Sequence, residues 1–247
     1  MQITVYDENR RPETPDLRTL DAFDASFCTE HYVFHFRSGS CAAREIEQIA
    51  AEQERCFRTI EETLRIPFTH QIQYFFADSP EENGRILEEL FCMYAPGNGF
   101  AVGPNNVFAV CNDQIKCIGA HEDTHLISYA FCDPACEFLS EGLAMLMDGQ
   151  WWGEPNAEWV KRFLQDGRYC SVLALADDET FEHTPCEITY PIAGAFTAFL
   201  TERLGVPAYL EQIYKPKQPL KEKLEHAFGM PPEAVERAFS DWIGESK

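Results

Sequence analysis

His121-Glu122-Asp123-Thr124-His125 is the densest chemical grouping in the chain. Each helical residue advances about 100°, so His121 and His125 differ by roughly 40° and lie one turn apart on one face. Two imidazoles held that way can bind one zinc ion through a rigid frame. Glu122, at the border of that face, can reach a water on the metal without being a ligand. Zinc lowers the pKa of such a water towards about 7, and the carboxylate can take its proton and pass it to a leaving amine. The chemistry expected of the pentapeptide is hydrolysis.

A catalytic zinc takes three protein ligands and keeps a fourth position for water. The candidate third ligand is Glu141, sixteen residues after His125, in Ser140-Glu141-Gly142-Leu143-Ala144. Phe138, Leu139, Leu143, Met145, Leu146 and Met147 surround it, which makes its helix largely buried. An ionised carboxylate is costly there unless it is paired or metal-bound. Asp133-Pro134 reads as a cap followed by an N1 proline, and Asp148-Gly149 reads as a stop.

His-Glu-x-x-His followed on the next helix by Glu-Gly-x-Ala resembles the gluzincin metallopeptidases, the group containing thermolysin and aminopeptidase N. The Ser-Glu-Gly-Leu-Ala form is closer to the aminopeptidase side and to small bacterial peptidase domains of that superfamily. The resemblance covers about residues 30–245, with the zinc motifs as its diagnostic part. It implies a zincin-like α+β fold: an N-terminal mixed sheet with helices, then an all-helical C-terminal half, with the active-site cleft between. It also implies one zinc held by His121, His125 and Glu141, with Glu122 as general base on a peptide substrate.

The resemblance has departures. The His125-to-Glu141 spacing is short, and Met145 stands where thermolysin-like enzymes place an aspartate that orients a histidine. Asp148 and Asp123 remain as candidates for that role, a surface or capping acid being the alternative for each. The family stabilises the oxyanion with Tyr or His. Tyr190, opening a helix after the loop 167–189, is the first choice, with core packing as its alternative. His183 is the second, with a loop-surface histidine as the alternative.

Relatives also bind extended peptides along an edge strand. Phe100-Ala101-Val102 and Val107-Phe108-Ala109 are the candidates, and both also fit plain packing strands. Trp151-Trp152 fits either a cleft wall or ordinary packing. His31, His35, His70 and His226 read as structural.

The elements that must position these residues follow from pattern. Tyr32–Phe36 and Gln71–Phe76 read as strands, 41–65 as an amphipathic helix, and Ser79-Pro80-Glu81-Glu82 as a capped helix start running to about Tyr94. Glycine-rich turns at 96–99 and 103–106 suggest a hairpin or edge strand. Helices are expected at 113–131, 134–148, 191–204, 206–214, 218–228 and 231–243. The organisation expected is a loosely structured lead-in at 1–30, an α/β part at 31–112 and a helical part at 113–247 carrying the zinc site, forming one catalytic domain.

The chain has 247 residues with 41 acidic against 20 basic side chains, a net charge of −21. That balance excludes a phosphate-backbone partner and, where it selects at all, favours basic peptides. Lys215, Lys217, Lys221 and Lys223 form the one basic cluster and read as a solvated helix flank. No apolar run reaches the roughly 18 residues of a membrane helix, and no signal peptide is visible, so a soluble, cytoplasmic protein is expected.

The ten cysteines contain no Cys-x-x-Cys pair and read as reduced thiols. Cys111, Cys117, Cys132 and Cys136 flank the zinc helix and leave open a structural zinc in a catalytically inactive, peptide-binding relative. A di-iron bundle would need a second Glu-x-x-His, which the sequence lacks.

Overall fold

The computed structural model describes residues 23–92 and 94–245, and the chain divides into two compact units, Met1–Phe131 and Cys132–Lys247. The class is α+β, as expected. No helix among the described residues is long and apolar enough to cross a membrane.

The first unit is built on strands β1 (Ala25–Cys28), β2 (Tyr32–Phe36), β3 (Ile72–Ala77), β4 (Gly99–Val102) and β5 (Asn106–Val110), in the spatial order β1-β2-β3-β5-β4. The three middle strands run parallel, and β1 and β4 pair antiparallel at the two ends. Parallel neighbours need a crossover. Helix α1 (Cys41–Leu64) supplies it between β2 and β3, and α2 (Pro80–Phe91) leaves β3 towards β4. Burial explains the strand sequences. Tyr32, Phe34 and Phe36 alternate inward along β2, whereas β5 is buried along its whole length, as suits an interior strand.

Both helices are capped by serine, and the Ser79 cap is the one expected from the sequence. Ser40 accepts from the Ala43 amide, and Ser79 accepts from the Glu82 amide ahead of Pro80. The buried stripe of α1 is apolar (Ile49, Ala50, Cys56, Phe57, Ile60, Leu64) except for Gln53. Residues 1–22 of the expected lead-in lie outside the described residues, while its later part forms β1.

Helix α3 (His121–Phe131) begins later than the helix expected at 113–131. The Asn112 side chain accepts from the Gln114 and Ile115 amides, Cys111 bridges to Lys116, and Gly119 takes φ +128°. These local bonds hold 112–119 as a turn and loop, so His121 opens the helix instead of sitting within it.

The second unit contains α4 (Glu137–Asp148), a two-residue ladder β6 (Gln150–Trp151) with β7 (Glu154–Pro155), α5 (Asn156–Asp166), α6 (Val172–Leu175), α7 (Asp178–His183) and α8 (Cys186–Leu204). α9 (Val206–Tyr209) follows and runs into a π-helical turn at Leu210–Tyr214, then α10 (Leu220–Phe228) and α11 (Pro232–Glu245) complete the unit. α4 starts at Glu137, not Pro134, because the Lys217 ammonium takes the carbonyls of Asp133 and Pro134. The expected loop 167–189 holds α6, α7 and the start of α8, so Tyr190 lies in the second turn of α8. Helix α5 was not expected from the pattern.

α4 and α8 meet at two glycines. A Cβ on Gly142 would lie 2.5 Å from Thr197 Oγ1 and 3.0 Å from the Ala193 carbonyl oxygen. A Cβ on Gly194 would lie 2.7 Å from the Met145 Cβ and 2.5 Å from Asn156 Nδ2. Glycine is needed here for close approach.

Candidate metal centre

α3 carries His121 half-buried and His125 buried, their rings 80° apart and their Nε2 atoms 3.3 Å from each other. Two nitrogens on a tetrahedral zinc at about 2.0–2.1 Å stand roughly 3.3–3.4 Å apart. The imidazole pair therefore has the separation zinc requires. Glu141, 3% exposed in α4, is the third member of a group in which one ligand atom from each residue lies within 4.8 Å of the others. Two imidazoles and a carboxylate are a donor set suited to zinc with an open position.

In a second group of possible ligands, Glu30, His31 and Glu54, the last two are already hydrogen-bonded to each other. His31 Nδ1 lies 2.7 Å from Glu54 Oε2, and the His31 amide donates to Oε1 at 2.9 Å. No cysteine belongs to either group, and none of the ten forms a disulfide.

Glu122 is half-buried beside the terminal strand β4. A Cβ on Gly99 would come within 2.5 Å of Glu122 Oε1 and 2.6 Å of Cys117 Sγ. The strand backbone and the carboxylate thus pack directly, which only a glycine allows. The sequence marked Gly99 merely as a turn glycine, and no local signal separates the two roles. Of the two strand candidates, Phe100–Val102 lies in β4 at the end of the sheet, whereas Val107–Ala109 lies in β5 with β3 and β4 on either side.

The remaining candidates divide. Tyr190 is half-buried, edge-on to Trp151 at 5.3 Å and stacked on Phe181 at 6.3 Å between ring centres. His183 is exposed at the end of α7, its Nδ1 2.7 Å from its own helix at the Glu179 carbonyl. Met145 is a core residue, and Asp148 ends α4 half-buried. Asp123 is fully buried, not a surface acid. Trp151 packs, while Trp152 is 75% exposed at the hairpin tip with φ +51°.

His35 is structural, with Nε2 2.9 Å from Gln73 Oε1 and its ring stacked on Phe75. The lysine cluster is not uniformly solvated. Lys223 is buried, donates to the Pro216 carbonyl at 3.2 Å, and burial pushes its pKa down to about 8.

No protein-family model matches the chain, and no curated protein matches it.

Proposed function

We propose that the chain is a zinc-dependent metallopeptidase of zincin-like fold, with one zinc held by His121, His125 and Glu141. The observation that carries the reading is the His121–His125 Nε2 separation of 3.3 Å within a group that includes the buried Glu141. When bound, zinc supplies Lewis-acid polarisation of the scissile carbonyl and acidification of water.

The protein's own residues do the rest. Glu122 takes a proton from the attacking water and returns it to the leaving amine. β4, the terminal antiparallel strand beside Glu122, offers backbone N–H and C=O groups to an extended peptide. Tyr190 donates to the developing oxyanion, with His183 as the second candidate. A net charge of −21 favours basic peptide substrates. Ten cysteines without a disulfide suit the cytoplasm as its compartment.

Metal analysis of the purified protein beside Glu122→Gln tests this. We expect zinc near one per chain in both proteins and a loss of peptidase activity of about 10²–10⁴-fold in the variant. Full activity in the variant would overturn the reading. Zinc without activity on a broad peptide library would replace it with a catalytically inactive, zinc-dependent peptide-binding protein.

A further inference from the structure

We infer that Tyr32, Gln53 and Asp123 form a positioning device that fixes the first turn of α3, and with it His121 and Glu122. The inference rests on the zinc reading above. It starts from Asp123, which follows Glu122 directly and is 0% exposed. A buried carboxylate persists only where hydrogen bonds satisfy it. Its Oδ2 accepts from the Tyr32 hydroxyl at 2.5 Å and from the Gln53 amide at 3.0 Å. Tyr32 comes from β2 and Gln53 from the middle of α1, where it interrupts an otherwise apolar stripe.

Gln53 has a second hold on the same segment. Its Oε1 accepts the Gly119 N–H at 2.6 Å, and its Nε2 lies 3.1 Å from the Gly119 carbonyl oxygen. The side-chain amide thus pairs with Gly119 as a neighbouring strand would, at a residue whose φ of +128° favours glycine. The Gln53 Nε2 is also 3.1 Å from the Tyr74 hydroxyl on β3, and the Tyr32 hydroxyl reaches the Gln53 carbonyl at 3.0 Å.

The chain is therefore gripped at 119 and at 123, on either side of His121 and Glu122. Because α3 begins at His121, no preceding helical turn fixes those two side chains. Burial first, and the Asp123 charge second, hold the Tyr32 phenol well above its ordinary pKa, so it stays a donor. Polar bonds of this kind fix direction as well as distance, and ligand-orienting partners typically change metal affinity or activity by about 10–100-fold.

The test is zinc affinity, measured by competition with a chromophoric chelator, for the full chain and for Tyr32→Phe, Asp123→Asn and the double variant. Tyr32→Phe removes one hydroxyl and keeps the ring that stacks on Phe34. Ile60→Val, a core change on the same helix as Gln53, serves as control for lost stability. We expect Tyr32→Phe to weaken zinc binding about tenfold and to lower kcat while KM stays near wild type. The double variant should lose less than the product of the two single losses. Ile60→Val should leave zinc affinity unchanged.

Wild-type zinc affinity in Tyr32→Phe, or an equal loss in Ile60→Val, would overturn the positioning role alone. If Tyr32→Phe and Asp123→Asn fail to fold, Gln53→Met gives the same readout, because it nearly keeps the length and removes the amide without adding a charge. A wild-type chain that binds no zinc would overturn the metal reading and this inference with it. Zinc binding without peptidase activity would remove only the enzymatic reading, since the affinity readout stands without turnover.

Discussion

The helices that carry the candidate ligands are fixed by different physics. In the first unit, α3 is held by a buried polar network whose members come from β2, β3 and α1 and converge on Asp123 and Gly119. In the second, α4 is held against α8 by the absence of side chains at Gly142 and Gly194, which lets the two backbones approach. Hydrogen bonds constrain orientation steeply, whereas close packing constrains separation and volume. A pair of metal-binding imidazoles needs both nitrogens aimed, while a carboxylate on a buried helix tolerates more rotation. In the proposed centre the directional device serves the histidine pair and the volumetric one the glutamate.

That contrast can be broken at the apolar end first. Gly142→Ala puts a Cβ against the Ala193 backbone, which cannot swing aside, and should cost about 1–3 kcal/mol. Thermal melts should fall by roughly 2–4 °C per kcal/mol for a chain of this size. A melting temperature equal to wild type would show that α4 and α8 are not held by close approach.

Gly99→Ala should behave in the opposite way. The atoms it meets are the ends of the Glu122 and Cys117 side chains, which can move, so stability should change by less than about 1 kcal/mol. Moving the Glu122 carboxylate should nevertheless lower kcat roughly ten- to a hundredfold, read by steady-state kinetics beside the melts. Unchanged kcat would detach β4 from the positioning of the base.

A pH-dependent effect concerns Lys223 in the second unit. Burial lowers its folded pKa to about 8 from the ordinary 10.5, so between those values the unfolded chain binds more protons than the folded one. Its penalty is therefore complete below about pH 8 and disappears as pH rises towards 10.5. Lys223→Met should be more stable than wild type at pH 7.5, and the gap in urea midpoints should narrow as pH approaches 10. A constant gap would deny Lys223 the depressed pKa.

The comparison also explains what the sequence could and could not reveal. The imidazole pair was legible because one helical turn is a local fact, and so were β2, α1 and α2, whose alternation and caps lie within a few residues. For Asp123 the sequence leaves two readings open, an orienting acid and a surface or capping one, because its partners are remote: Tyr32 stands 91 positions away and Gln53 stands 70 away. At 113–120 one local and one remote set of bonds decide the outcome. Ile115 and Ile118 continue a helical rhythm, but Asn112 and the Gln53 grip on Gly119 impose a loop. Helix α5 is not expected from the pattern, although Val160 and Phe163 form its buried face.

The brevity of β4 sets a ruler on recognition. Four residues at about 3.3 Å each extend roughly 13 Å, and only alternate residues turn their N–H and C=O outward. Under the proposed peptidase reading, a peptide lying along that edge would be read over two or three residues of its own backbone. The same shortness leaves too few outward groups to template a neighbouring molecule's strand, which keeps an open sheet edge from becoming a route to aggregation.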